Sequence, residues 1–226
     1  PQFVIADVGT SLHAVYAGSW KLQEDWHRTI ARDWNGRSRE ALAALIGAVD
    51  GLRLQEDVKQ GVCKLSYYAE PMRDPGALLA RVRQPLEAAG LRANLVWSVD
   101  ETTATGLLDV LPASAGKYPA LDYLRAKLDI PLARTVFAGD SGNDMEVLVS
   151  GMPSVLVANA QAAVRAEAAA RADAASLYLA RGGLFGMNGN YSAGILEGVA
   201  HFLPATRAWM ALPRDRAGQA VPCAQD

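Results

Sequence analysis

The chain is poor in cysteine, with two in 226 residues, Cys63 and Cys223. Two cysteines are too few for a disulfide framework or a zinc site, so we expect free thiols in a reducing compartment. An excess of one charge is also lacking, because 22 Lys and Arg are balanced by 24 Asp and Glu. This balance indicates no basic surface of the kind that binds nucleic acid, so we expect no nucleic-acid partner.

Long apolar runs are missing as well. No run reaches the ~18 residues of a membrane span, and the start lacks the charged and apolar regions of a signal peptide. We therefore expect a cytoplasmic protein with no membrane partner, and the sequence predicts no oligomeric state. Half of the residues are nevertheless hydrophobic, which is enough to bury a sizeable core.

The chain changes character twice along its length. Its last part alternates strand and helix patterns, such as "RTVFAGD", "PSVLVANA" and "YSAGILEGVAHFL", which is typical of a parallel α/β layer. An α+β pattern precedes it. We expect an α/β protein with a Rossmann-like parallel-sheet core, incomplete at its N-terminus, and an inserted α+β cap. The core would comprise residues 1–18 and 107–203, the cap residues 19–106, and a loosely held C-terminal tail residues 204–226. The continuous apolar run "FVIA" predicts a first strand buried on both faces of a parallel sheet.

The most informative stretch is "VFAGDSGNDMEVL". It predicts a buried strand that ends at Gly139, with Asp140 at its carboxyl end and Asp144 near the first turn of the next helix. Ligands of open α/β sheets bind at that edge. Two carboxylates and Asn143 in a loop of small residues offer the oxygen ligands that Mg²⁺ takes together with a substrate phosphate. The alternative is an ordinary strand-to-helix turn in which Asp and Asn cap the helix.

A lysine upstream favours the metal interpretation. Lys117, in "SAGKYPALDYL", opens the helix that precedes the GDSGND strand. A lysine at a helix start beside two carboxylates can bridge a phosphoryl oxygen and an aspartate. The alternative is a solvated surface lysine.

These segments, with "SAGILEGVAHF" near the end, resemble the haloacid-dehalogenase-like phosphatase superfamily, in particular its α+β-capped branch that includes sucrose-phosphate phosphatases. The resemblance implies that Asp140 and Asp144 hold Mg²⁺. It implies that Lys117, with Asn143 as a further catalytic residue, acts on the phosphoryl group, and that the cap carries sugar specificity. Within the cap-like stretch "CKLSYYAEP" and the strand that follows, the candidate sugar-binding residues are Lys64, Ser66, Tyr67 and Asp109. The alternative for these four is an ordinary place in a strand.

The candidate nucleophile departs from the family pattern. Asp7, in "VIADVGTSL", is close to the D-x-D-G-T signature, whose first Asp attacks phosphorus and whose second transfers the proton. The second position is Gly9, which has no side chain to carry a proton. We therefore expect Asp7 to lie near the active site without being the nucleophile. On this interpretation the nucleophile lies upstream of Pro1, and the 226 residues alone have no substantial phosphatase activity.

Two classes of function follow. The first is a Mg²⁺-dependent phosphatase of a small-molecule sugar phosphate, most simply sucrose 6-phosphate, acting through an aspartyl-phosphate. The second is a non-catalytic sugar-phosphate-binding or regulatory domain, which would not need the intact metal pair. Within the first class another phosphosugar, such as a mannosyl or glucosyl osmolyte precursor, stays open.

Overall fold

The computed structural model describes residues 1–72, 74–100 and 102–211. The chain divides into two compact units, Pro1–Leu124 and Arg125–Asp226. The elements of the first unit are β1 (Phe3–Ala6), β2 (Ser11–Tyr16), β3 (Ser19–Leu22), α1 (Glu24–Ala31), α2 (Arg39–Ile46), β4 (Leu52–Leu54), β5 (Leu65–Ala69), α3 (Gly76–Ala88), β6 (Ala93–Asp100), β7 (Thr105–Pro112) and α4 (Lys117–Lys127). The last of these helices crosses the boundary between the units.

The elements of the second unit are β8 (Phe137–Gly139), α5 (Met145–Leu148), β9 (Ser154–Leu156), α6 (Ala162–Arg171), β10 (Leu177–Leu179), α7 (Tyr191–Phe202) and α8 (Thr206–Ala211). Its three strands form a parallel sheet in the order β10–β9–β8. The α/β alternation predicted for this part of the chain is confirmed. The short strand β10 was not predicted, because its three residues carry too little pattern to stand out.

The first strand departs from the prediction. It was expected in a parallel sheet, but β1 pairs antiparallel with β2, and β3 completes a three-stranded sheet. The prediction of a strand buried on both faces is also wrong, because all four residues of β1 are half-buried. The reason is the connection: only four residues join β1 to β2, and a parallel pair needs a crossover of a dozen or more.

A four-stranded antiparallel sheet forms the larger part of the first unit, in the order β4–β5–β7–β6. Helices α1, α2 and α3 pack their apolar side chains, such as Ile30, Leu42 and Val82, into one buried core. One face of the sheet contributes Leu108 and Val110 of β7 to the same core. Helix α2 is capped by Ser38, whose hydroxyl accepts a hydrogen bond from the Ala41 amide. Strand β7 runs on to Pro112, across the position where the predicted cap ends. The domain boundaries therefore stay a prediction.

The predicted tail is described only in part. Residues 204–205 form a turn, Thr206–Ala211 form α8, and residues 212–226 of the predicted tail lie outside the described residues. Among the residues that the structure describes, no helix combines the length and apolarity of a membrane span.

Candidate active site

The GDSGND segment forms a tight loop, here called the acidic loop (residues 140–144), at the carboxyl end of β8. Asp144 is 7% exposed, and its Oδ2 accepts hydrogen bonds from the Asp140 amide at 3.1 Å and the Ser141 amide at 3.3 Å. The Ser141 hydroxyl donates to the same oxygen at 3.2 Å. The side chain of Asp144 thereby holds the loop closed, as in a capping box. The strand–loop–helix arrangement predicted from the spacing is confirmed.

The other carboxylate of the loop is presented differently. Asp140 is exposed, and within the described part of the chain its carboxylate has no hydrogen bond or ion pair. The loop thus fixes one carboxylate against the backbone and leaves the other open to solvent at the sheet edge where ligands of α/β proteins bind.

Gly139 makes this closure possible. A Cβ at that position would lie 2.5 Å from Asp144 Oδ2 and 2.8 Å from Asp144 Cβ. Any side chain would therefore push Asp144 off the strand end. Gly142 has no such constraint, because the nearest atom to an added Cβ is Val164 Cγ2 at 3.9 Å. The first glycine of the motif is a steric requirement, whereas the second is not.

The chemistry of these donors fits Mg²⁺. The described residues contain no group of three or more His, Cys, Asp or Glu side chains that could cage a metal. An all-protein cage is not what Mg²⁺ needs, because this ion usually keeps several waters and binds through one or two carboxylates and substrate phosphate. Asp140, Asp144 and the amide oxygen of Asn143 are the donors available in the acidic loop. Their roles stay predictions.

In the first unit, Lys117 is the first residue of α4, as predicted. The loop before it is packed against the turn that follows β1. A Cβ on Gly9 would lie 2.1 Å from the Gly116 carbonyl oxygen and 2.9 Å from the Lys117 amide nitrogen, and Gly9 has φ +91°. The backbone of the Asp7 turn therefore touches the backbone that starts the lysine helix. This contact brings the Asp7 motif and the Lys117 motif together, although they are far apart in the sequence.

The side chain of Asp7 is engaged locally. Its Oδ2 accepts a hydrogen bond from the Ser11 hydroxyl at 2.7 Å, and its backbone carbonyl accepts from the Thr10 hydroxyl at 2.9 Å. Asp7 and Val8 both have positive φ, 51° and 57°, a conformation that non-glycine residues rarely adopt. The segment is a strained, tightly bonded turn near Lys117. That position agrees with the expectation for Asp7, whose role stays a prediction.

Three of the four predicted sugar-binding residues come together on one face of the antiparallel sheet, here called the sheet cluster (Lys64, Ser66 and Asp109). The Lys64 ammonium donates to Ser66 Oγ at 2.7 Å and lies 3.4 Å from Asp109 Oδ1. The Ser66 hydroxyl donates to the same carboxylate oxygen at 2.5 Å. Ser66 and Asp109 are direct partners across β5 and β7. The cluster is buried and close to neutral overall.

Tyr67 does not belong to that cluster. It is 5% exposed and packs in the core on the opposite face of β5, where burial raises the pKa of its hydroxyl to about 12. Successive strand residues point to opposite faces, so Tyr67 cannot share a face with Ser66. The alternation could have been read from the sequence.

The first unit also contains a cavity. Its volume is about 660 Å³, and Trp34, Arg37, Gln60 and Cys63 are among its lining residues. Burial raises the pKa of the Cys63 thiol. None of the predicted site residues lines this cavity in the part of the chain that the structure describes.

One polar residue that sequence reasoning missed is Glu197, on α7. It is 7% exposed and accepts hydrogen bonds from the Arg181 amide at 3.0 Å, the Gly182 amide at 2.8 Å and the Tyr178 hydroxyl at 2.8 Å. Burial alone raises the pKa of this carboxyl, but the three hydrogen bonds and the Arg181 charge outweigh it, and the pKa is lowered. Glu197 therefore secures the loop after β10. Nothing in the local sequence marks its partners.

The parallel sheet with its acidic loop has the fold of the haloacid-dehalogenase-like phosphatases. A solved sucrose-phosphatase from Synechocystis, in complex with sucrose and phosphate, matches with a TM-score of 0.70 and 24% sequence identity, covering 89% of this chain and 74% of that one. The chain belongs to the sucrose-6F-phosphate phosphohydrolase family, whose model matches residues 1–203. The resemblance stated from the sequence is confirmed.

Curated relatives extend the comparison. A Nitrosococcus oceani protein described as a HAD-like hydrolase is 48% identical over 222 residues, which are 97% of this chain and 60% of the relative. The mannosylfructose-phosphate phosphatase of Agrobacterium fabrum is 30% identical, covering 71% of this chain and 60% of that protein. Sucrose-phosphatase 1 of Nicotiana tabacum is also 30% identical, covering 71% and 36%. The chain spans about 60% of the length of the first two relatives.

Proposed function

We propose that the full-length protein is a Mg²⁺-dependent phosphatase of a sugar phosphate, with sucrose 6-phosphate as the leading substrate. The observation that carries the proposal is the acidic loop, which presents the Asp140 carboxylate, unpaired among the described residues, at the carboxyl end of a parallel strand. Membership of the sucrose-6F-phosphate phosphohydrolase family supports the substrate class. A mannosylfructose-phosphate phosphatase among the relatives makes that sugar phosphate the first competitor.

The proposed reaction has two steps. An aspartate carboxylate attacks phosphorus, the bond between phosphorus and the sugar oxygen breaks, and that oxygen takes a proton from an acid. Water then attacks the aspartyl-phosphate and releases inorganic phosphate. Lys117 stabilises the charge that develops on the phosphoryl oxygens. Asp140 and Asp144, with Asn143, hold the Mg²⁺ ion, which supplies further neutralisation of that charge when it is bound.

The attacking aspartate is proposed to lie upstream of Pro1 rather than at Asp7. The carboxylate of Asp7 is bonded to Ser11, and Gly9 offers no second carboxylate for the proton transfer. Proton transfer by a positioned side chain contributes about 10²–10⁴-fold to the rate. A site built on Asp7 alone would lack this contribution.

The sheet cluster is proposed to contact the sugar. Lys64, Ser66 and Asp109 combine donors and acceptors, as recognition of hydroxyl groups requires. Their mutual bonds fix them in place before a ligand arrives, which lowers the entropic cost of binding. Tyr67 contributes to the packing beneath this face.

The test is an assay of the full-length protein with sucrose 6-phosphate, mannosylfructose phosphate and p-nitrophenyl phosphate, with Mg²⁺ and after chelation. We expect the highest kcat/KM with sucrose 6-phosphate and loss of turnover with the chelator. Binding of the sugar phosphates without turnover would favour a non-catalytic domain. A preference for mannosylfructose phosphate would replace the substrate and keep the reaction.

The 226-residue chain provides the test of the nucleophile. We expect it to release no substantial phosphate from sucrose 6-phosphate, and its Asp7→Asn variant to behave in the same way. Rapid turnover by the chain that Asp7→Asn abolishes would make Asp7 the nucleophile.

A further inference from the structure

The loop that presents Lys117 is held by other parts of the first unit. It connects β7 to α4 through residues 113–116, and one bond within the loop region runs from the Ala115 amide to the Pro112 carbonyl. The Ala113 amide donates to the Arg92 carbonyl at 3.2 Å, and the Asn94 side chain donates to the Ala115 carbonyl at 3.4 Å. The position of Lys117 therefore depends on distant segments of the chain.

The strongest of these attachments comes from Asp33. Its Oδ2 accepts hydrogen bonds from both the amide and the hydroxyl of Ser114, each at 2.6 Å. Its Oδ1 forms an ion pair with Arg92 Nη2 at 2.5 Å, and the side chain is 6% exposed. One buried carboxylate thus ties the turn after α1 and the start of β6 to the loop three residues before Lys117. Bonds to an ionised acceptor are about twice as strong as neutral ones.

The opposite side of the loop is also closed. Gly9 lies against Gly116 with no room for a side chain, and the Gly9 carbonyl accepts a hydrogen bond from Trp26 Nε1 at 3.0 Å. The loop is therefore confined between a charged clamp at Ser114 and a backbone contact at Gly116. If the clamp is released, the loop loses its charged attachment at Ser114, three residues before the start of α4.

We propose that Asp33 is a positioning residue for Lys117. It touches neither substrate nor metal in this proposal, and it acts by holding Ser114 so that the lysine starts its helix at the required place. The inference rests on the proposed catalytic role of Lys117. A misplacement of about 1 Å in an active site can lower the rate about 10²-fold, so a clamp three residues from the lysine has a measurable effect on turnover.

The experiment is a double-mutant cycle in the full-length protein, with kcat and KM for sucrose 6-phosphate measured well below the melting temperature of each variant. We expect Asp33→Asn to lower kcat about tenfold or more and to leave KM within about twofold. Combined with Lys117→Ala, the same substitution should cost nothing further, because the residue that it positions is gone. Losses that multiply in the double variant would overturn the inference.

Ser114→Ala is the second variant, in case Asp33→Asn folds poorly. It removes the hydroxyl bond from the loop side and leaves the carboxylate in place, so we expect a smaller loss of kcat in the same direction. Asp50→Asn, at an exposed position of the first unit, is the matched control and should leave kcat unchanged. Equal losses for Asp33→Asn and Asp50→Asn would overturn the inference.

A readout without activity separates this inference from the proposed function. In the ¹⁵N-labelled 226-residue chain, Asp33→Asn should shift the amide signals of Ser114 to Lys117, whereas Asp50→Asn should not. Unmoved signals would overturn the clamp directly. If the signals shift in the 226-residue chain but the full-length protein hydrolyses no phosphate ester, the clamp is supported and the inference fails only through the proposed function. The two failures are therefore distinguishable.

Discussion

The acidic loop contains two carboxylates and the sheet cluster contains one, and the two sites differ in how the negative charge is balanced. In the sheet cluster, Asp109 is neutralised by Lys64 and bonded to Ser66, and all three are largely buried. In the acidic loop, neutral amides and a hydroxyl bind Asp144, and Asp140 faces solvent. The first arrangement is complete without a ligand. The second leaves the Asp140 charge facing solvent, as the proposed Mg²⁺ site requires.

Breaking the acidic loop should have the largest effect. In the full-length protein, Asp140→Asn keeps the size of the side chain and removes its charge. We expect Mg²⁺-dependent turnover to fall about 10²-fold or more, because the metal that neutralises phosphoryl charge loses a ligand. Stability should hardly change, since the carboxylate is exposed and has no hydrogen bond or ion pair in the part of the chain that the structure describes. The measurement is kcat at saturating Mg²⁺ together with urea unfolding.

Asp129→Asn is the control for that comparison. Asp129 is exposed in the same unit and has φ +53°, which Asn tolerates well. It should change neither turnover nor stability. Unchanged turnover in Asp140→Asn would remove the acidic loop from the metal site.

Breaking the sheet cluster should cost stability. Lys64→Met leaves the Asp109 carboxylate buried without its cation, and loss of one partner of a buried pair costs about 3–5 kcal/mol of unfolding free energy. Lys21→Met, at an exposed position on β3, is the control and should cost little. Urea unfolding measures both.

A double variant sharpens this result. Lys64→Met with Asp109→Leu removes both charges and should recover much of the lost free energy, since apolar replacements of buried pairs are often neutral. If Lys64→Met were as stable as the unmodified protein, Asp109 would not depend on Lys64 for its charge balance.

Displacing Asp144 without changing it should give an intermediate effect. Gly139→Ala places a methyl group 2.5 Å from Asp144 Oδ2 and forces the carboxylate away from the strand end. We expect the affinity for Mg²⁺ to fall about tenfold, in the range reported when groups that orient ligands are lost. Gly142→Ala, which has room for its methyl group, is the matched comparison in a titration of turnover against Mg²⁺. Equal effects of the two substitutions would show that closure of the loop on Asp144 is unimportant.

The smallest effect concerns Glu197, a buried carboxylate of the second unit. Like Asp144, it accepts hydrogen bonds from neutral groups. Glu197→Gln should cost about 1 kcal/mol at pH 7, because the bonds to the Arg181 and Gly182 amides lose their ionic character. The pKa of Glu197 is lowered in the folded state, so its stabilisation is present above the ordinary pKa of 4.5 and is lost as the pH falls through the lower folded value.

Urea unfolding at pH 7 and at successively lower pH tests this sign. The difference between Glu197→Gln and the unmodified protein should shrink only below pH 4.5. Glu87→Gln, on the exposed surface of α3, should show no such trend. A difference that grew on acidification would contradict the direction of the shift.

The sequence predicted the acidic loop well because all of its determinants are local. The strand, the glycine at its end and the two aspartates lie within a few residues, and the structure forms this strand–loop–helix as expected. The strand itself was expected to be buried and is half-buried, and the Ser141–Asp144 capping pair was not predicted. The Asp33 clamp could not be predicted, because Asp33 and Ser114 are 81 residues apart and nothing near either residue names the other. The antiparallel pairing of β1 was not predicted, because the continuous apolar residues of the strand indicate a parallel sheet, whereas its short connection to β2 allows only an antiparallel pair. Tyr67 lies on the opposite face of β5 from Ser66, as the alternation of strand residues already implies, and its role in sugar binding stays a prediction.

The contact between Gly9 and Gly116 has a consequence for protein engineering. Two backbones meet there without an intervening side chain, so neither partner can adjust by choosing another rotamer. In a chimaera that exchanges segments between relatives, the turn after β1 and the loop before α4 therefore have to be transplanted together. A chimaera that carries only one of them combines two backbone conformations from different proteins, which need not fit at this contact. We expect the resulting distortion at the start of α4 rather than at the junction between the two sequences.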